Sequence, residues 1–92
     1  MNSGAEPIAG LFNLGPKSAG MLLAAGITSV EQLRSLGSVQ AFLRVKAVDP
    51  RASLNLLWAL EGALTGEPWR KVSRDGRTSL LLALDAARNA GH

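Results

Sequence analysis

The residues best suited to chemistry lie in the segment LFNLGPKSA, residues 11–19. Gly15 suits a tight turn, and Pro16 suits the first position of a helix, where a missing N–H is not required. Lys17 and Ser18 then fall in the first helical turn, beside backbone N–H groups without an acceptor inside the helix. This hairpin predicts a site for an anion such as a DNA phosphate. Its candidate binding residues are Asn13, Gly15, Lys17 and Ser18. A hairpin that only packs two helices together is the alternative.

A second candidate is the densest basic cluster of the chain, made of Arg70, Lys71, Arg74 and Arg77. We expect a helix to start here, and positive charge at a helix N-terminus is electrostatically unfavourable. The cluster therefore favours a role other than stabilising the helix, such as contact with nucleic acid or with an acidic protein. The alternative is a solvated entrance to a helix. The net charge of +3 fits both interpretations.

Three apolar residues are predicted to lie off the buried stripes of their helices: Met21, Leu81 and Leu82. Exposed apolar residues on a small helical domain indicate a protein partner or a second copy of the chain. Burial under the N-terminal arm or a neighbouring helix is the alternative. Trp69 follows a proline in a connector, and we expect it to close the core from outside rather than to stack on a base.

The remaining polar residues predict no catalytic centre. The chain has no cysteine and no tyrosine, and its single histidine is His92, the last residue. The seven acidic residues are scattered, so spacing assembles neither a nucleophile with a base nor a metal cluster. We expect no enzymatic activity, no metal, no cofactor and no small-molecule substrate. Asp85 and Arg88, three positions apart, predict a surface ion pair.

Length and composition favour one small domain. The 92 residues are 47% hydrophobic, enough for a core without disulfides. Residues 1–7 are interpreted as a flexible arm and residues 8–90 as a single helical domain. The N-terminus has no pattern of an export signal, and no apolar run reaches the roughly 18 residues of a membrane span. A cytoplasmic protein that does not associate with membranes is expected.

Recurring glycine and proline, without an alternating strand pattern, predict an all-α fold, a compact bundle of five to six short helices. Capping residues are expected at Thr28 with Glu31, at Ser53 and at Ser73. Trp58 is expected in the core. In the last helix, Leu80, Ala83, Leu84 and Ala87 are expected to face inward. The predicted helices cover residues 7–12, 16–25, 29–36, 38–48, 53–66 and 73–89.

The segments LFNLGPKSAGML and AAGITSVEQLRSLG together resemble a helix-hairpin-helix unit. Such units occur in DNA repair proteins and in the C-terminal domain of the bacterial RNA polymerase α subunit, and their hairpin amides often hold a DNA phosphate. With AFLRVK, SLNLLWALEGALTGEPW and WRKVSRDGRTSLL added, the chain is similar to the C-terminal domain of the TfoX/Sxy competence regulators over residues 11–82. The resemblance implies an all-helical bacterial domain with a helix-hairpin-helix-like unit, linked to regulation of DNA-uptake genes. A stand-alone form is expected. Phe42 replaces a frequent tyrosine of the family, and Gly76 replaces a glutamate.

These observations favour a non-enzymatic regulatory or adaptor domain that acts by protein–protein interaction, self-association included, through Met21, Leu81 and Leu82. The alternative is DNA binding without sequence preference, through the hairpin around Gly15 and the Arg70–Arg77 cluster. A remnant fold whose partner has been lost is a third interpretation.

Overall fold

The structure is a computed structural model that describes residues 14–90. Within that range the chain forms five helices and no strand, which confirms the all-α prediction. The helices are α1 (Pro16–Ala24), α2 (Val30–Val48), α3 (Leu54–Thr65), α4 (Trp69–Asp75) and α5 (Arg77–Ala90). The expected arm over residues 1–7, the expected helix over residues 7–12, and Asn13 and His92 lie outside the described residues.

Helix α1 begins where the sequence predicts, but Gly15 does not have the predicted role. Pro16 is the first helical residue, as predicted. Gly15 is extended, with φ of −101°, and a Cβ added to it would meet no atom within 4 Å. The expectation that Gly15 supplies special turn angles is therefore wrong, because any residue adopts this conformation.

Gly26, with φ of 85°, follows the end of α1, close to the predicted end at residue 25, and the backbone N–H of Ile27 donates to the oxygen of Leu22 at 2.9 Å.

The cap of α2 is shifted by one residue from the expected Thr28 and Glu31. The hydroxyl of Ser29 accepts from the N–H of Gln32 at 3.1 Å, and the side-chain oxygen of Gln32 accepts from the N–H of Thr28 at 2.9 Å. The amide nitrogen of Gln32 also donates to the oxygen of Gly26 at 2.8 Å. A glutamate has no N–H to make that last bond, which is a physical reason for Gln32 to hold this position.

Helix α2 is interrupted at Gly37, as the sequence predicts. Gly37 has φ of 81° and ψ of 167°, and the segments on either side of it are helical. Ser38, the next residue, is a buried polar side chain. The interruption lets the two halves of α2 take different directions while both supply residues to the core.

Helix α3 is central to the core and packs against both α2 and α4. Its residues from Leu56 to Leu60 are all buried, and Trp58 is buried as predicted. Phe42 and Leu33 of α2 and Leu22 of α1 are among the largest fully buried side chains around it. Burying each such side chain contributes about 1.5–3 kcal/mol relative to leaving it in water.

The C-terminal part differs most from the prediction. Ser73 does not cap the last helix but lies inside the short helix α4, where its hydroxyl donates to the oxygen of Arg70 at 2.9 Å. Gly76 separates α4 from α5. Ala83 is exposed rather than inward-facing, whereas Leu84 is buried as expected.

Two smaller expectations are also corrected. Ser53 occupies the N-cap position of α3, but its side chain makes no capping bond. Asp85 and Arg88 are not among the ion pairs found in residues 14–90. Across these same residues, no helix combines the length and the apolar character needed to cross a bilayer.

Candidate functional site

The N-terminus of α1 has the arrangement that the sequence predicts for anion binding. The first hydrogen bond of the helix runs from the N–H of Ala19 to the oxygen of Gly15, at 3.0 Å. The N–H groups of Lys17 and Ser18 precede that bond, and no side chain caps this end. The Lys17 side chain is exposed and Ser18 is half-buried. Among the described residues, helix-start amides without a side-chain cap, the helix dipole and one cation thus coincide here.

This helix start forms one wall of an open groove of about 600 Å³. The other walls come from the loop between α2 and α3, from the N-terminus of α3, and from Trp69, which is the first residue of α4 rather than part of a connector as the sequence predicted. The groove residues used below are Lys17, Ser18, Met21, Asp49, Arg51, Ser53 and Trp69. The fold therefore brings the two predicted hairpin residues together with a loop more than thirty positions away, which sequence reasoning missed.

The loop is held in shape by its own polar groups. The Asp49 carboxylate accepts from the backbone N–H of Arg51 at 3.1 Å and from its side-chain Nε at 3.3 Å. These two hydrogen bonds, the backbone one first, lower the pKa of Asp49 below its ordinary value of 3.8. From the neighbouring helix, Lys46 Nζ donates to the backbone oxygens of Pro50 at 2.7 Å and Ala52 at 2.8 Å. The loop presents Arg51 to solvent with 92% of its side chain exposed.

A second helix N-terminus, that of α3, faces the same groove. Ser53 is its N-cap residue, and its hydroxyl is not used for capping. Its backbone oxygen accepts from the N–H of Leu56 at 3.0 Å, which is the start of the helical pattern. Two helix N-termini therefore meet at one groove, and each carries a partial positive charge. An Asp-Pro turn signal at residues 49 and 50, followed by Arg51 and Ser53, is the sequence feature from which this wall could have been found.

The predicted basic cluster does not act as one unit. The guanidinium of Arg70 lies over the ring of Trp69, with Cζ at 5.4 Å from the ring centroid. Because Trp69 lines the groove and packs partly against the core, Arg70 is the member of the cluster adjacent to the groove. The expectation that Trp69 closes the core from outside is confirmed.

The other three cations of the cluster are placed elsewhere. Lys71 Nζ pairs with Glu67 Oε2 at 2.7 Å, and the hydrogen bond to Glu67 raises the pKa of Lys71. Lys71 lines a different groove, of about 430 Å³, whose walls also include acidic residues. Arg74 Nε pairs with Asp75 Oδ1 at 3.1 Å, and Arg77 is exposed as the first residue of α5.

The three apolar candidates have different environments. Met21 and Leu81 are half-buried and pack against the core, so the expectation that they stand exposed is wrong. Leu82 is exposed as predicted, at 67%. Leu23 on α1, which the sequence analysis did not single out, is 61% exposed.

The groove brings together helix starts and basic side chains. Within residues 14–90, no group of three or more histidine, cysteine, aspartate or glutamate side chains is placed to hold a metal ion. What the groove offers is two sets of helix N-terminal amides, the cations Lys17 and Arg51, and a nearby arginine stacked on tryptophan.

Comparison with known proteins places the chain in a family. The solved structure of an uncharacterized protein from Listeria monocytogenes, in a triclinic crystal form, superposes with a TM-score of 0.78 at 29% identity, covering 90% of this chain and 94% of that one. None of the curated proteins matches. The model of the TfoX C-terminal domain matches residues 5–84, most of the sequence. This chain therefore belongs to the TfoX C-terminal domain family.

Proposed function

We propose that this chain is a non-enzymatic, competence-regulator-like domain that binds the phosphate backbone of duplex DNA without reading its sequence. Family membership supports the regulatory part of the proposal. The observation that carries the DNA part is the groove in which Lys17 of α1 and Arg51 of the α2–α3 loop line the same space.

The physical support is the convergence of several groups that favour an anion. Backbone N–H groups at the two helix starts favour a negatively charged ligand, because their own helices leave them without acceptors. Lys17 and Arg51 add mobile positive charge, and Arg70 lies beside the groove on Trp69. Asp49 is the one acidic side chain that lines this groove among the described residues, and its carboxylate is engaged by Arg51.

The expected binding is weak, electrostatic and sensitive to salt. If Lys17, Arg51 and Arg70 each neutralise one phosphate, the logarithm of the affinity falls with the logarithm of salt concentration at a slope of roughly −3, from about −0.9 per phosphate. Fluorescence anisotropy of a labelled duplex, titrated at low and at physiological salt, measures that slope. A duplex of unrelated sequence is expected to bind equally well.

Charge reversal locates the site. Lys17→Glu and Arg51→Glu should each weaken binding and flatten the salt dependence by about one unit of slope. Arg34→Glu is the matched control, because Arg34 is exposed on α2 and does not line the groove. Absence of DNA binding even at low salt contradicts the proposal. An equal loss of DNA affinity in all three variants also contradicts it.

A second candidate function, protein–protein interaction, is favoured by the exposed apolar side chains Leu23, Val48 and Leu82. Large exposed apolar residues contribute little to binding a phosphate backbone, but they contribute to protein interfaces. This function requires contacts outside the groove. It therefore predicts that Leu23→Glu or Leu82→Glu, outside the groove, impairs partner binding while leaving DNA affinity unchanged.

A further inference from the structure

The groove that Lys17 and Arg51 line also has an apolar floor, which binding to a phosphate backbone does not require. This floor is formed by Met21 of α1 and by Leu56 and Ala59 of α3. Leu56 and Ala59 belong to the core, yet they remain 7% and 8% exposed. The backbone of a duplex presents charged phosphates and sugars, whereas its flat apolar groups, the bases, are stacked inside the double helix. A ligand that uses the whole groove therefore has an apolar part as well as an anionic part.

Trp69 adds an aromatic ring to this floor. Its side chain is half-buried, because it packs partly against the core and also lines the groove. Closing the core and contacting a ligand are therefore compatible for this residue. The guanidinium of Arg70 lies over the same ring, with Cζ at 5.4 Å from the ring centroid. Proteins that bind single strands combine an aromatic side chain, on which an unpaired base stacks, with cations that contact the phosphates.

The size and the polar groups of the groove also suit a nucleotide. Its volume of about 600 Å³ lies within the range of about 300–1,000 Å³ that is usual for pockets that hold small ligands. Lys17 and Arg51 are exposed and match the charge of a phosphate. Asn55 of α3 lines the groove and is exposed, and its amide can both donate and accept, as the polar edge of a base requires. The groove therefore matches the face of a base, its polar edge and the phosphate.

We propose that this groove holds an unpaired nucleotide of a single-stranded DNA overhang, with its base against Trp69 and its phosphate held by Lys17 and Arg51. The groove is open, so a strand can continue past the bound base, whereas an enclosed cavity would favour a free nucleotide. The inference rests on the proposed DNA-binding function for its phosphate contacts. It adds a preference for a duplex with a single-stranded overhang over a blunt duplex.

A comparison of labelled DNAs separates the base from the phosphates. The same duplex is prepared with blunt ends, with a short overhang of deoxyadenosines, and with an overhang of equal length built from abasic sites. The last two carry the same phosphates and differ only in their bases. Stacking of one base on an aromatic side chain should raise the affinity by roughly five-fold or more. Fluorescence anisotropy should therefore show tighter binding of the deoxyadenosine overhang than of the abasic overhang or the blunt duplex.

The outcomes of this comparison distinguish the inference from the proposed function. Equal affinity for the two overhangs, with binding of the blunt duplex, overturns the inference and leaves the proposed function standing. Binding of the deoxyadenosine overhang without binding of the blunt duplex supports the inference and contradicts the proposed function. Absence of binding to all of these DNAs at low salt overturns both.

Substitutions at Trp69 test where the base binds. Trp69→Leu keeps an apolar side chain against the core but removes the aromatic ring, so the difference in affinity between the two overhangs should disappear. Trp69→Phe is the matched control, because it keeps a ring and should retain part of the difference. Circular dichroism checks that both variants fold. Lys17→Glu should weaken binding of both overhangs by the same factor, since it acts on the phosphate. An undiminished difference in folded Trp69→Leu overturns the inference.

Competition with free dAMP tests whether the ligand is a strand or a mononucleotide. A strand makes phosphate contacts on both sides of the bound base, so free dAMP should displace the labelled overhang only at concentrations far above the dissociation constant of that overhang. Displacement at concentrations comparable with that constant would identify a free nucleotide as the ligand and overturn the inference.

Discussion

The hydroxyl of Ser38 donates to Glu61 Oε1 at 2.7 Å, and this bond joins the second half of α2 to the middle of α3. Ser38 is buried, and Glu61 is half-buried. Hydrogen bonds to a charged group are stronger than those between neutral groups. The bond fixes α2 to α3 directly after Gly37, where the backbone of α2 departs from helical geometry.

Ser38→Ala should destabilise the fold by about 1–3 kcal/mol, because it leaves the half-buried Glu61 oxygen without this donor. Urea unfolding followed by circular dichroism measures the change in the free energy of unfolding. Ser35→Ala is the control, since Ser35 is exposed on the same helix. Its effect should stay within about 0.5 kcal/mol, the usual range for surface substitutions. Equal effects in the two variants would mean that the bond to Glu61 contributes nothing.

Gly37 and Gly20 should respond in opposite directions to alanine. Gly37 has φ of 81° and ψ of 167°, a conformation almost restricted to glycine, so Gly37→Ala should cost about 1–3 kcal/mol. Gly20 lies inside α1, and a Cβ there meets no atom within 4 Å. Gly20→Ala should therefore stabilise the protein by about 0.5–1 kcal/mol. Thermal unfolding of both variants checks that their stability changes in opposite directions. A stabilising effect of Gly37→Ala would contradict the strained backbone geometry.

The two serine N-caps should differ in their contribution to stability. The Ser29 side chain accepts from the N–H of Gln32, whereas the Ser53 side chain makes no capping bond. Ser29→Ala should therefore cost about 1 kcal/mol, and Ser53→Ala only a few tenths. If Ser53 instead contacts a phosphate in the groove, its variant should weaken DNA binding. Chemical denaturation of the two variants measures the contribution of each serine to stability, and fluorescence anisotropy measures its contribution to DNA binding.

The helices that the sequence predicts correctly are those bounded by strong local signals. Gly26, Gly37 and Gly66 all have positive φ and mark the ends or interruptions of helices. Helix α4 was missed because its seven residues are too few to show a period, and because Trp69, which follows Pro68, was expected in a connector although Pro68 is the N-cap of α4. Pro is compatible with both positions, so only packing against α3 decides between them.

The site could be predicted only in part, for a related reason. Lys17 and Ser18 were found because helix-start chemistry is local, but the opposite wall, with Arg51, is set by how α3 packs. The three consecutive leucines 80–82 show the same limit. Their period does not say which of them faces inward, and the structure places Leu80 and Leu81 against the core and Leu82 in solvent.

The carboxylate of Asp49 should contribute to stability only above acidic pH. Hydrogen bonds from Arg51 lower the pKa of Asp49 below 3.8 in the folded state. The contribution is therefore present above that value and lost as the pH falls through the lower, folded-state pKa. The stability difference between the natural protein and Asp49→Asn should narrow as the pH is lowered from about 6 to about 2. Arg51→Ala should raise the pKa of Asp49 only part of the way to its ordinary value, because the backbone N–H of residue 51 still donates to the carboxylate. An NMR titration of the Asp49 carboxyl checks both expectations.

Asp49 should also weaken DNA binding in its present state, because it places a negative charge beside Lys17 and Arg51 in the groove. Asp49→Asn removes that charge, while its amide oxygen can still accept from the N–H of Arg51 and keep the loop in shape. One unit charge at about 4 Å in water is worth about 1 kcal/mol, so DNA affinity should rise by up to about five-fold at low salt, and less at high salt. Asp85→Asn makes the same change of net charge on α5, outside the groove. A similar gain in both variants, measured by anisotropy, would mean that net charge rather than the groove determines the affinity.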